Sequence, residues 1–447
     1  MTSLPRPSRR AFLAASASAL ILPRFAAPAF AQSSAGDVDV AIIGGGAAGI
    51  AAALKVAASG RSHVLIEAGK RLGGRAATVE AFGLPFDLGA NRFARTESGL
   101  ADAAEAAGLP LVNVPSARRL YLGGQQAKEG QYDDFAAAIG RTERAIAATA
   151  DAGRDIGAAS ALPDAGVWTA TVAAVLGPLG CGRSLAEVST LDLARRDPAP
   201  DDVTSAIGVG ALLQRLAAPL NVRLGAKVTR IDTGGRLAVM ALEGGGTLRA
   251  RTVILAVPAA VIAAGAIRFN PPLPARLAGA FRAYPSGLME HVGFLLPGNP
   301  LDLAPDELVD VKAGTTPPGA LYARVGGTDL HVAVFGADTA AEIAAKGEPA
   351  GLALARGFLA ASFGATAAAK VEKVAVSRWS TDPLIRGAMA VGTPGAGAGR
   401  RAFAEPVGRL TLAGEYTSLD GWGTLAGAFA SGEIAAERAI RVTGGPA

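Results

Sequence analysis

The sequence predicts an α/β fold assembled from both ends of the chain, with a region of mixed α+β character inserted between them. Three observations predict it. Residues 38–44 form an apolar β run, 47–59 an alanine-rich helix and 63–67 a second β run, a succession that makes a βαβ unit. The turn inside that unit reads Gly44-Gly45-Gly46-Ala47-Ala48-Gly49, and Glu67 closes the second run. Near the other end, residues 409–415 read as a strand ending in an acid and 424–441 as a helix. Motifs more than three hundred residues apart serve one purpose only if the fold brings both ends to one ligand.

Each residue type in the turn has a physical reason. Gly44 permits a tight exit from the strand, Gly46 lets the backbone approach a pyrophosphate, and Gly49 lets helix and strand pack closely. Ala48 belongs to the same set of binding positions. The phosphates then sit at a helix N-terminus, where free N–H groups and the helix dipole favour negative charge. Glu67, 23 residues after Gly44, places a carboxylate where it accepts hydrogen bonds from ribose hydroxyls, with Ala68 beside it. Alone, this pattern indicates a dinucleotide and does not separate NAD from FAD.

Beyond the βαβ unit, weak alanine-rich helical patterns run from residue 100 to about 162. The stretch 163–206 is mixed. From 222 the pattern becomes β, with runs at 222–232, 236–242 and 247–257 separated by Gly234-Gly235 and Gly244-Gly245-Gly246, and Pro258 ends this three-strand meander. Further β runs at 292–296, 321–325, 331–335 and 371–379 predict a second sheet. The low-complexity stretch 395–399 reads as a flexible connection.

At 447 residues, half of them apolar, the chain is long enough for two domains or for one with large insertions. Its formal charge of +5 is mostly owed to Arg6, Arg9, Arg10 and Arg24 in the first 31 residues, which hold no acid. A nucleic-acid partner is therefore discounted. Ser8-Arg9-Arg10-Ala11-Phe12-Leu13, an apolar stretch to Leu22 and Ala29-Phe30-Ala31 describe a twin-arginine signal over residues 1–31, read by the export machinery. Pro23 and Arg24 cut the apolar run short of the roughly 20 residues a membrane anchor needs, so a periplasmic protein without a stable membrane anchor is expected. Cys181 is the only cysteine, so no intrachain disulfide forms and a buried small residue is expected there. His63, His291 and His331 lack metal-ligand spacing, and no metal site is expected.

Glu67-Ala68-Gly69-Lys70-Arg71-Leu72-Gly73-Gly74-Arg75 resembles the segment shared by the flavin-containing amine oxidases, a family of monoamine, polyamine and L-amino-acid oxidases. The resemblance implies a Rossmann-like FAD-binding domain of the glutathione-reductase-like type, formed by 36–110, 205–270 and 395–442. An α+β substrate domain from 111–204 and 271–394 is inserted in it. It implies that Gly74 and Arg75 hold the cofactor, that Ala90 and Asn91 in Asp87-Leu88-Gly89-Ala90-Asn91 reach the flavin, and that the backbone of Val228 contacts adenine. Gly414 and Glu415 are similar to the position that binds the ribitol chain. Thr424 and Leu425 begin a helix whose N-terminus would face the flavin N1–C2=O edge and stabilise negative charge there.

The candidates for catalysis are Trp422, as an aromatic wall guiding the amine, Thr424 at the helix start, and Glu290. Glu290 lies with Met289 and His291 where many members carry a lysine, and this chain has none nearby. The cysteine for covalent flavin attachment in monoamine oxidases has no counterpart at 392–401, so FAD is expected to be noncovalent. Arg92 replaces an aromatic residue frequent in relatives, and Trp379 is read as packing at the domain junction. The implied reaction is oxidation of a small-molecule amine by hydride transfer to flavin N5. The imine product hydrolyses to a carbonyl compound, with oxygen or a periplasmic electron acceptor taking the electrons. The alternatives are a C–C desaturase of phytoene desaturase or protoporphyrinogen oxidase type, and an exported flavin-binding protein without turnover.

Overall fold

A computed structural model describes residues 37–96, 99–115, 118–197, 199–314 and 318–444. The expected signal over residues 1–31 lies outside them. The βαβ unit forms as Val38–Ile43, Ala47–Ala58 and His63–Ile66, with the two strands parallel and Ala41 level with Val64. Apart from Asp39 and His63 near their starts, its strands are apolar because both faces are covered, and Val40, Ile42 and Leu65 are fully buried.

The strand Thr247–Leu255 joins the ends of the chain. Its first half pairs antiparallel with Ala238–Leu242, its body runs parallel to Val38–Ile43, and its last residues take Leu410–Leu412 in parallel on the opposite edge. A strand from the C-terminal end thereby enters the sheet started at the N-terminal end. The eight-stranded sheet has the order 268–270, 228–232, 238–242, 247–255, 38–43, 63–66 and 222–223, with 410–412 beside 247–255. The helix Leu425–Val442 then lies against Ala47–Ala58. The two approach so closely that a Cβ on Gly432 would stand 2.0 Å from the Ala48 carbonyl oxygen, which explains why small residues populate both helices.

A second, seven-stranded sheet has the order 375–376, 289–295, 330–336, 319–322, 308–311, 118–122 and 125–126. Phe294, Phe335 and Leu321 form its core with Phe358 and Leu359 of the helix Glu348–Phe363. Residues from Asp37 onward pack as one compact unit. Among the described residues no helix is long and apolar enough to cross a membrane, and no group of His, Cys, Asp and Glu is arranged to hold a metal ion.

Four expectations change. Within the stretch 100–162, read as helical, residues 111–113, 118–122 and 125–126 are strands lying between the helices Gly99–Ala106 and Glu129–Asp151. The run 222–232 is two strands, Val222–Arg223 and Val228–Asp232. Gly225 takes a φ of +65° and its N–H goes to Gly69 O, while the Ala226 N–H goes to Glu67 O, so the chain turns off one edge of the sheet and re-enters at another. The run 371–379 keeps only Ala375–Val376 as strand, because the residues after it wrap around the Glu290 carboxylate. The stretch 395–399 is tied down: Gly397 N–H donates to Asp155 Oδ2 at 2.7 Å and the Tyr284 hydroxyl to Ala396 O at 2.6 Å.

Candidate functional site

The strand ends and helix starts of the main sheet open on one cavity of about 580 Å³, within the range of ligand pockets. Gly44, with φ +106°, leaves no room for a side chain, since a Cβ would meet Ala256 O at 2.5 Å. Gly49 stands off the cavity wall, and its Cβ would lie 1.8 Å from Gly44 O, so its role is the close packing of turn and helix. Gly46 is different. Around it only Gly74 Cα comes within 4 Å, and both glycines line the cavity, so that side chains are kept from its wall. No side chain caps the helix that begins at Ala47, and its first N–H groups remain available to a ligand.

Glu67 and Ala68 line the same cavity. The Glu67 carboxylate accepts the N–H of Gly45 and of Gly69, each at 2.6 Å, which locks the turn and leaves further lone pairs on both oxygens. Val228, Ala90 and Asn91 are also lining residues. Ala90 is held by its N–H on Arg75 O, and Asn91 by its carbonyl, which accepts from Thr204 Oγ1. Arg75 Nη1 meets Glu415 Oε1 at 3.2 Å across 340 residues of sequence. Glu415 also accepts the N–H groups of Ala390 and Gly423, so one buried carboxylate fastens three segments. Gly414 beside it donates to Ser431 Oγ in the closing helix. Thr424 and Leu425 bring that helix's N-terminus to the cavity.

The remaining wall comes from elsewhere in the chain: Leu179, Gly180, Arg196, Asp201, Met289, His291, Tyr322, Met389 and Arg92. Sequence reading assigned no site role to most of these, and no local pattern marks them. His291 is neutral, because burial pushes its imidazole down to about 4 against a backbone contact with Asp87 O. Trp379 lines the cavity edge and donates its indole N–H to Leu88 O, in keeping with a packing residue.

Two catalytic candidates are corrected. Glu290 lies between Met289 and His291 on the strand Met289–Leu295, and alternation sends it to the opposite face. There, fully buried, it accepts from Ser377 Oγ, Trp379 N, Ser380 N and Ser380 Oγ at 2.5–3.0 Å, off the cavity wall. It is a structural clamp. Trp422 is also fully buried and off the wall, with its indole N–H on Asp192 O and its ring between the guanidinium groups of Arg196 and Arg400 at 5.0 and 4.7 Å. Thr424 lines the cavity at the helix start, where its hydroxyl donates to Gly421 O and accepts from Gly427 N and so caps the helix.

Whether a dinucleotide fits is tested by the polar atoms as well as by the space. Tyr416 is among the residues lining the cavity, and its hydroxyl is buried with no hydrogen-bond partner among the described residues. Burial and the neighbouring Glu415 push its ionisation far above the ordinary range, so it stays a donor. An uncapped helix start and a paired-glycine wall in one cavity, with an orphaned donor on one of its lining residues, fit an extended polar ligand with phosphate groups.

Comparison with known proteins agrees. Residues 42–103 match the NAD(P)-binding Rossmann-like domain. The chain is 29% identical over 267 residues to mouse lysine-specific histone demethylase 1B, a match covering 56% of this chain and 32% of the demethylase. It is 26% identical over 450 residues to polyamine oxidase 3 of Oryza sativa subsp. japonica, covering 89% and 88% of the two chains. The match to the demethylase thus spans about a third of that relative's length. Among solved structures, cyclohexylamine oxidase from Brevibacterium oxydans and putrescine oxidase bound to putrescine each superpose with a TM-score of 0.78 at 20% identity, covering 91% of this chain and 99% of theirs. At that identity the likeness establishes the fold. The family profile settles membership: matched over residues 119–440, this chain belongs to the family of flavin containing amine oxidoreductases.

Proposed function

We propose that this protein is an FAD-dependent oxidoreductase that oxidises the C–N bond of a small-molecule amine. The observation that carries the reading is the convergence of Gly46, Gly74, Arg75, Glu415 and Thr424, from both ends of the chain, on one cavity. Those residues would hold FAD, with Glu67 toward its ribose and Val228 toward its adenine. When bound, FAD supplies a hydride acceptor, and a substrate whose α-carbon loses hydride leaves as an imine that water converts to a carbonyl compound. The N-terminus of Leu425–Val442 favours negative charge at the cavity wall without any side chain taking part. Met289, Leu179 and Met389 exclude water, and an apolar wall keeps the substrate amine neutral, the form that loses hydride.

FAD is held without a cysteinyl bond. The single cysteine, Cys181, is fully buried off the cavity wall, and burial pushes its thiol up to about 11. The residues at 289–291 offer no lysine beside the cavity, which leaves oxygen and a periplasmic acceptor as alternative electron sinks. The twin-arginine pattern at Arg9 and Arg10 supports export of the folded, cofactor-loaded protein to the periplasm.

One experiment covers these readings. The yellow protein is recovered from the periplasmic fraction of a host with a twin-arginine route and mixed anaerobically with a panel of amines. Bleaching by at least one amine is expected, followed by return of colour with oxygen or with a dye acceptor. Failure of every amine to bleach the flavin would overturn amine oxidation, and confinement of the protein to the cytoplasm would overturn export.

A further inference from the structure

Five cationic side chains line the cavity, and four of them have partners within the protein. Arg75 meets Glu415, Lys227 meets Glu243 at 2.7 Å, Arg92 donates to Asp306 O and Arg196 to Trp422 O. Arg386 is the fifth. Among the described residues its guanidinium forms no hydrogen bond, ion pair or ring contact, and the residue is exposed at the mouth of the cavity.

The backbone of Arg386 is held in an unfavourable place. Its φ is +65°, and of the seven described non-glycine residues with positive φ it alone lines the cavity. A side chain costs energy in that left-handed region, so the surrounding structure has to impose it. The N–H groups of Ile385 and Arg386 both donate to Asp382 O, and the Asp382 carboxylate takes the N–H of Leu384 at 2.8 Å. The Gly387 N–H donates to Trp379 O, and a Cβ on Gly387 would stand 2.6 Å from Ser286 Cβ. The segment is pinned on both sides of a side chain that is not.

The path of this segment identifies the charge in reach of Arg386. Leu384 Cδ1 lies 3.8 Å from where a Cβ on Gly69 would stand, and Ile385 packs with Ala77 and Trp379. Residues 383–386 therefore run beside 69–77, the stretch that brings Gly73 and Gly74 against Gly46. The uncapped helix start at Ala47 offers N–H groups there, but the nearby cations are engaged: Arg75 by Glu415, and Arg71 by Leu72 O and Gly74 O. A diphosphate at this turn lacks a side-chain counter-charge unless Arg386 supplies it.

We propose that Arg386 is a cofactor-binding residue whose guanidinium closes the mouth of the cavity on the diphosphate of FAD. This rests on the FAD reading above and deepens it. A guanidinium matches phosphate oxygens through two parallel N–H groups and keeps its charge at every physiological pH. The imposed backbone conformation aims an otherwise unrestrained side chain at the cavity.

The test uses the purified, flavin-loaded protein. After dilution, free FAD is collected by ultrafiltration and its release is followed by absorbance. Arg386→Met is expected to release FAD about tenfold faster than the wild type, the scale of one exposed charge-assisted hydrogen bond. Arg386→Lys should recover part of that loss. Arg386→Gly suits the left-handed backbone and removes only the side chain, so it should match Arg386→Met and serves where that variant folds poorly. ADP and adenosine are then compared as competitors of FAD rebinding. ADP should compete about tenfold more weakly in Arg386→Met and Arg386→Gly than in the wild type, and adenosine equally in all three. In about 1 M salt, where charges act over about 3 Å, the gap between wild type and variants should narrow.

Release at the wild-type rate from Arg386→Met or Arg386→Gly would overturn the proposal and leave FAD binding intact. So would an equal weakening of ADP and adenosine, since that assigns the effect to the shape of the adenosine pocket. A wild type recovered without FAD would remove the cofactor reading together with this one.

Discussion

The two ends of the cavity are built on different principles. At the nucleotide end the wall is backbone: Gly44, Gly46 and Gly74 keep side chains away, Glu67 fastens the turn through two N–H groups, and the helix start at Ala47 is uncapped. At the other end the wall is side chains: Arg92 on Tyr322, Arg196 on Trp422, and the neutral His291 beside Met289. At Gly44 an added Cβ has nowhere to go, and at Gly46 it would enter the space the wall leaves for a ligand. A side-chain wall is set by residues brought from 179–201, 289–322 and 388–389, so its chemistry changes without disturbing the strands that carry it.

The difference is sharpest at Gly49, where an alanine Cβ would stand 1.8 Å from Gly44 O. Gly49→Ala is expected to abolish recovery of a soluble yellow protein. Gly279→Ala, a helical position with nothing within 4 Å, should leave the protein stable or raise its stability by up to about 1 kcal/mol. Equal behaviour of the two variants would remove the claim that close backbone approach governs this end.

The ends are joined by the buried pair of Arg400 and Asp192, both about 1% exposed. Two N–H groups of Arg400 meet the two Asp192 oxygens at 2.7 Å, and others reach Ala390 O and Tyr416 O. Arg400→Met leaves the Asp192 carboxylate buried and unpaired, which costs about 3–5 kcal/mol, measurable by denaturant unfolding of the flavin-loaded protein. A loss below about 1 kcal/mol would mean that the two ends are held by the sheets alone.

The smallest effect belongs to His291 at the side-chain end. Its folded value of about 4 lies below the ordinary 6.5, so between these limits the unfolded chain binds the proton and the folded one does not. Stability is fully present above about pH 6.5 and falls as pH drops toward 4, by about 3 kcal/mol at most for this group. Subtracting the profile of His291→Gln from that of the wild type isolates the contribution. Asp87 is raised by burial and acts in the opposite direction in both proteins, so it cancels. A difference that grows as pH rises would show that His291 is charged in the folded protein.

Much of the nucleotide end is legible from sequence, since each requirement falls within a few residues. Gly44 to Gly49 with Glu67 and Gly73-Gly74-Arg75 name the turn, the acid and the second glycine pair, and all belong to one arrangement in space. The C-terminal strand and helix were also recognisable, but only the strand Thr247–Leu255, taking Val38–Ile43 and Leu410–Leu412 as partners, explains how they reach it. Glu290 and Trp422 misled for opposite reasons. A strand's alternation decides which of Met289, Glu290 and His291 faces the cavity, and Trp422 is enclosed by Arg196 and Arg400, residues far from it in sequence.

The sequence by itself determined that a dinucleotide binds, because phosphate binding at a helix start depends on glycines at fixed local spacing, and the family was legible in the short segment from Glu67 to Arg75. Only the tertiary structure decided what lines the other end of the cavity. Arg92, Arg196, His291 and Tyr322 carry no local signature, and their charge and burial follow from which distant neighbours each one meets when the inserted segments close over the sheet.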